Sequence, residues 1–244
     1  MMVQAALNGT RTRAEHPAIP MTPAEQATEA HASVAAGASG IHVHVRDLDG
    51  NESLAEADVA NTIDAIRTAC PGIPIGIGTG AWIIPDLRHR LSVIRSWRTL
   101  PDFASVNLHE AGAAEVIELL LERGVGVEAG IWNAPAAASL IRSGLADHCV
   151  RILLEPAEAS CSARANLVQM EDVLTGAKPP RLLHGLGHCA WHLVEMAAKR
   201  HYDTRIGFED TLKLPDGSTA SGNAELVRAA LQLVERTARV MTAV

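Results

Sequence analysis

The stretch "TPAEQATEAHASVAAGASGIHVHVRD", residues 22–47, decides the fold, because it changes period in its middle. Thr22 is placed to cap a helix, Pro23 suits its first turn, and Glu25 completes a reciprocal cap with Thr22. Small and apolar residues then recur at helical spacing over 23–36 until Gly37, a helix stop. From Gly40 the period becomes two: Ile41, Val43 and Val45 share one face, and His42 and His44 share the other. A helix followed by a short, mostly apolar strand is half of a βα repeat.

The same alternation runs outward in both directions. Strand-like runs occur at 3–7, 40–45, 73–78, 103–108, 125–129, 149–155, 181–185 and 204–209. Helical patterns fall at 23–36, 56–69, 85–97, 112–123, 134–143, 162–170, 190–200 and 222–241. Eight strands alternating with eight helices predict an α/β fold of the (β/α)8 barrel type. An open doubly wound sheet is the competing architecture, and the absence of a GxGxxG after the first strand argues against its dinucleotide-binding form. No break in composition divides residues 1–244, so one catalytic domain is expected.

Composition narrows the function. The chain carries a net charge of −7 with histidine neutral, and its only lysines are Lys178, Lys199 and Lys213. Such a surface offers nothing to a nucleic-acid backbone. No window has the length of a membrane span, and the N-terminus lacks the charged lead and apolar stretch of a signal peptide, so a cytoplasmic location is expected. Cys70, Cys149, Cys161 and Cys189 show no CxxC spacing and read as free thiols.

Within this frame HVHVRD and TRIGFED carry the chemistry. The two histidines would face the barrel interior near its C-terminal mouth, where active sites of this fold lie. A pair of neutral core histidines is the plainer alternative, but two imidazoles on one strand face can also grip one metal ion. In the last strand Arg205, Gly207 and Glu209 share a face. Strands two and eight are both even and so fill the same interior layer, which lets Glu209 converge with His42 and His44. A His2Glu set with an open position is typical of catalytic zinc.

These residues, with "LNGTRTRAEHPAIPMTPAE" (7–25), "PDFASVNL" (101–108) and the C-terminal "TRIGFEDTLKLPDGSTASGNAELV" (204–227), resemble the β-keto acid cleavage enzymes, also described as 3-keto-5-aminohexanoate cleavage proteins. The resemblance implies a zinc-dependent barrel that condenses a β-keto acid with acetyl-CoA and releases acetoacetate and a new acyl-CoA. It puts the Zn2+ ligands on His42, His44 and Glu209, a catalytic base on Asp210, and its positioning partner on Arg205. Thr79, Ser105 and Asn107 match polar substrate-binding positions, and a homotetramer is implied. The chain departs from the family where Gly9 is followed by Thr10 and Arg11 rather than an acid. Arg11, with Arg13 beside it on the rim, would favour an acidic or neutral substrate tail over a cationic one.

Three other readings are compatible with parts of the pattern. Metal-dependent amidohydrolases use HxH on a barrel's first strand, with later ligands that His184 and His188 could supply. Schiff-base aldolases need a strand-end lysine, for which Lys213 is the nearest. A metal-stabilised binding barrel without turnover is the non-enzymatic reading.

Overall fold

The computed structural model describes residues 1–156 and 160–242. Eight strands, β1 (Val3–Ala6), β2 (Gly40–Val43), β3 (Ile75–Gly78), β4 (Phe103–Asn107), β5 (Gly126–Ile131), β6 (Arg151–Leu154), β7 (Arg181–Leu183) and β8 (Asp203–Ile206), form a closed, all-parallel barrel in chain order. β8 closes onto β1 with Val3 opposite Thr204 and Ala5 opposite Ile206. The crossovers carry α1 (Pro23–Ala35), α2 (Glu56–Ala69), α3 (Leu87–Ser96), α4 (Ala113–Glu122), α5 (Ala134–Ser143), α6 (Ser160–Val173) and α7 (Ala190–Arg200), and α8 (Asn223–Thr242) follows β8. This is the (β/α)8 barrel that the alternating periods predict.

The N-cap of α1 forms as its sequence demands. The Thr22 side chain accepts from Glu25 N–H, and Glu25 accepts from Thr22 N–H. Such a cap is worth about 1 kcal/mol. Gly37 ends the turn at φ +110°, a backbone that favours glycine.

Alternation along the strands sorts the side chains into two cores. Ile41 and Val43, Ile75 and Ile77, and Val127 and Ala129 face the helices and are fully buried. Each such aliphatic contributes roughly 1.5–3 kcal/mol by leaving water. The opposite set fills the barrel interior and is largely polar. Gln4 donates to Glu128 across the barrel at 2.8 Å, and Arg151 pairs with the same carboxylate at 2.7 Å while lying over the Phe103 ring. Gly76 makes room for that ring, since a Cβ there would lie 1.8 Å from it.

Seven of the eight strands are shorter than their sequence patterns, and two of these bear on the site. β2 ends at Val43 and β8 at Ile206, so His44 and Glu209 lie beyond the regular strands. A simple strand face therefore does not explain how Glu209 arrives. After Ile206 the chain turns: Asp210 and Thr211 N–H both donate to Gly207 O, and Glu209 N–H donates to Ala6 O. Gly207 lies so close to β1 that a Cβ would sit 2.0 Å from Ala6 O.

Among the described residues no helix is long and apolar enough to cross a membrane. Cys70 and Cys149 are free and buried, Cys189 is buried, and the side chain of Cys161 lies outside the described residues.

Candidate metal centre and active site

His42, His44 and Glu209 meet at the C-terminal mouth, with one possible ligand atom from each lying within 4.8 Å of the others. The Nε2 atoms of both histidines are 3.5 Å from the Glu209 carboxylate, one facing each oxygen. The rings stand edge to face with centroids 5.3 Å apart. Two glycines create the space. A Cβ on Gly78 would sit 3.1 Å from His44 Nε2, and one on Gly9, at φ +57°, would sit 2.4 Å from Glu209 Cγ.

The electrostatics of this cluster are those of a site built for a cation. Burial pushes the His42 pKa down to about 3, with Arg205 and His44 acting the same way and Glu209 opposing them. Burial also acts downward on His44, but Glu209 and Glu52 outweigh it and raise its pKa to about 9. Burial works to protonate Glu209, yet Arg205, His44 and His42 hold its carboxyl well below the usual range. Glu209 Oε2 is buried without a hydrogen-bond partner. Two imidazoles that present Nε2 to one carboxylate, the ionised state of that carboxylate and its buried unsatisfied oxygen fit a divalent metal of the zinc class, which would displace the proton from His44.

Beside this cluster, Asp210 is fully buried and held at one oxygen. Arg205 donates to its Oδ1 at 2.8 Å, and His184 Nδ1 lies 3.1 Å from the same atom. Arg205 also donates to Glu209 at 3.0 Å. The other Asp210 oxygen, Oδ2, is buried and unpartnered. His184 Nε2 lies 3.2 Å from Glu155, so a chain of side chains runs from Arg205 through Asp210 and His184 to the cavity wall. His188 is exposed and takes no part.

A cavity of about 420 Å³ opens over the cluster, lined by Arg11, Glu15, Trp82, Trp132, Leu186 and Glu155 among others. Among the described residues its lining includes Glu209 and His44 and no lysine. Arg11 does reach this wall, but its guanidinium already pairs with Glu15 at 2.7 Å. Arg13 instead pairs with Glu25 and faces a separate depression. The Thr79 hydroxyl donates to Ser105 O at 2.7 Å, bracing the ends of β3 and β4. Ser105 and Asn107 lie half-buried on the interior face of β4, and Asn107 donates to Glu110. Lys213 donates to Thr219 in the loop after β8.

Glu52, Trp82 and Trp132 are the site residues that strand periodicity does not reach. All three come from segments that follow strands, whereas Glu155 ends the strand-like run 149–155 and lies one residue past β6. An Asp-x-x-Gly-Asn pattern at 47–51 is the one signal that marks a tight turn returning Glu52 toward its strand.

A sequence profile described as beta-keto acid cleavage enzyme matches residues 1–243. The chain is 27% identical to the 3-keto-5-aminohexanoate cleavage enzyme of Fusobacterium nucleatum, over 98% of its own length and 93% of that protein. A stretch of 80 residues, 32% of this chain and 28% of its counterpart, is 34% identical to a 3-oxoadipate:acetyl-CoA acetyltransferase of Cupriavidus necator. The apo structure of ObcA superposes with a TM-score of 0.67 at 17% identity, over 93% of this chain and 65% of that one, a likeness of fold.

Proposed function

The chain belongs to the beta-keto acid cleavage enzyme family, and on that premise we propose that it condenses a β-keto acid with acetyl-CoA and releases acetoacetate and a new acyl-CoA, with Zn2+ as its metal. The observation that carries this reading is the convergence of His42, His44 and Glu209 beside a buried carboxylate with one free oxygen.

His42, His44 and Glu209 would hold the metal. Bound zinc supplies Lewis acidity toward a carbonyl oxygen of the substrate. Asp210 is the base: Arg205 and His184 occupy Oδ1, so Oδ2 takes the proton from C2 of the β-keto acid. The resulting carbanion forms a bond to the thioester carbonyl carbon, and coenzyme A leaves as the thiolate. That thiolate then adds to the original ketone carbon. The bond between that carbon and C2 breaks, giving the new acyl-CoA, and Asp210 returns its proton to C2 of acetoacetate. Arg205 keeps Asp210 oriented and offsets its charge in a fully buried position.

Ser105, Asn107 and Thr79 are assigned to the substrate's polar end, and Arg11 to its tail. The 3-oxoadipate:acetyl-CoA acetyltransferase of Cupriavidus necator is named for a keto acid with a distal carboxylate, and Arg11 supports the same tail chemistry here. We extend the proposal to a single catalytic domain, a cytoplasmic location and a homotetramer. Metal analysis of the purified protein, followed by incubation with acetyl-CoA and a panel of β-keto acids, tests the reading. Bound zinc with acetoacetate formation supports it, and a metal-bearing protein that forms no acetoacetate with any member favours a binding barrel.

A further inference from the structure

We propose that Glu52 is the positioning carboxylate of the metal centre and that Trp82 holds Glu52 in place, a role that rests on the metal reading above. Asp47 knots the loop after β2. Asp47 Oδ1 accepts from Asp49 N–H at 2.9 Å and from Asn51 N–H at 2.8 Å. Gly50 takes φ +84°, and Arg46 pairs with Glu52 as an antiparallel bridge. The chain is thereby folded back on itself, and Glu52 returns to the level of His44. Arg46 also donates to the carbonyls of Gly9 and Arg11, tying this loop to the one that lies against Glu209.

Both oxygens of Glu52 are then used. His44 Nδ1 donates to Oε1 at 2.5 Å, and Trp82 Nε1 donates to Oε2 at 2.9 Å. The first contact holds a proton on His44 Nδ1, so that Nε2 is the atom a metal would take at the centre shared with His42 and Glu209. The second fixes the rotation of the carboxylate. The indole also stacks over the imidazole, with centroids 6.2 Å apart and planes inclined by 21°. Gly80 gives the indole its room, since a Cβ there would sit 2.2 Å from it. Glu52 thus accepts from two donors at once, which only a carboxylate can do in this orientation. A glutamine offers one acceptor and presents an NH2 to the other donor.

The test uses the full chain stripped of metal and titrated with Zn2+ against a chromophoric chelator, with thermal melts to verify folding. Glu52→Gln should weaken zinc binding by about 10–100-fold, the usual cost of losing such a partner. Trp82→Phe keeps an aromatic ring over His44 and should lose less. In the double variant Glu52→Gln with Trp82→Phe, the competing donor is gone, so affinity should recover part of what Glu52→Gln lost. A purely structural role for Glu52 predicts additive losses instead. Zinc affinity unchanged in Glu52→Gln, or additive losses in the double variant, would overturn the proposal while the metal centre stands. A wild-type protein without zinc affinity would overturn both.

Discussion

His184 Nδ1 lies 3.1 Å from Asp210 Oδ1, and both side chains are fully buried. Burial and Arg205 oppose a charge on His184, but Glu155 and Asp210 outweigh them and raise its pKa from 6.5 to about 9. A pKa raised on folding stabilises the protein fully below the unfolded value and is lost as pH rises through the folded one. The window is therefore about pH 6.5 to 9. Urea unfolding of zinc-free protein should show wild type ahead of His184→Gln at pH 6, by roughly 1–3 kcal/mol for a charged hydrogen bond. The gap should narrow by pH 9.5. A gap that is constant or widens with pH would mean that the imidazole is neutral in the fold.

Asp210→Asn keeps the shape of the side chain and its contact with Arg205 but removes the base. The variant should bind zinc as wild type does and lose about 10²–10⁴-fold in kcat. Zinc titration and steady-state kinetics on the same sample read both quantities. Loss of zinc from this variant would assign Asp210 to the ligand set instead.

Gly9→Ala should damage the fold and the metal centre together. The left-handed backbone costs an alanine roughly 1–2 kcal/mol, and its Cβ would press on Glu209, the neighbour 2.4 Å away. Gly72→Ala is the control: its φ is also positive, at +81°, but nothing lies within 4 Å of the added atom. Both variants should melt earlier, and only Gly9→Ala should weaken zinc binding. Equal zinc affinity in the two would separate Gly9 from the site.

Tail preference should follow the Arg11–Glu15 pair. kcat/KM for β-ketoadipate and for a plain β-keto acid should exceed that for 3-keto-5-aminohexanoate. Glu15 competes with the substrate for the guanidinium, so Glu15→Gln should raise kcat/KM for β-ketoadipate by about tenfold, the scale of one charge-assisted hydrogen bond. Arg11→Ala should lower it. A preference for the amino substrate in wild type would contradict the charge argument.

The barrel was legible because burial imposes period two on strands and about 3.6 on helices, as in Ile41–Val43–Val45 and the run from Pro23 to Gly37. The convergence of His42, His44 and Glu209 was legible for a partly different reason from the one that operates. Strand faces bring His42 to the mouth, but Glu209 arrives by the turn at Gly207 and the close approach of Gly9. Glu52 and Trp82 were not legible as site residues, because where a loop points depends on side-chain knots such as that of Asp47, which leave no periodic trace. His184 was visible as a strand-end histidine. Its partners, Asp210 and Glu155, come from other βα units, and that meeting appears only when the barrel closes.

We propose that the His42–His44–Glu209 centre and Asp210 drive acyl exchange between a β-keto acid and acetyl-CoA. Zinc-loaded protein incubated with a β-keto acid and acetyl-CoA labelled with ¹³C in both acetyl carbons tests it most directly. The expected products are acetoacetate labelled at C3 and C4 and an unlabelled new acyl-CoA, with neither formed by His44→Ala. Simple hydrolysis to labelled acetate, or labelled acetoacetate formed equally by His44→Ala, would contradict it.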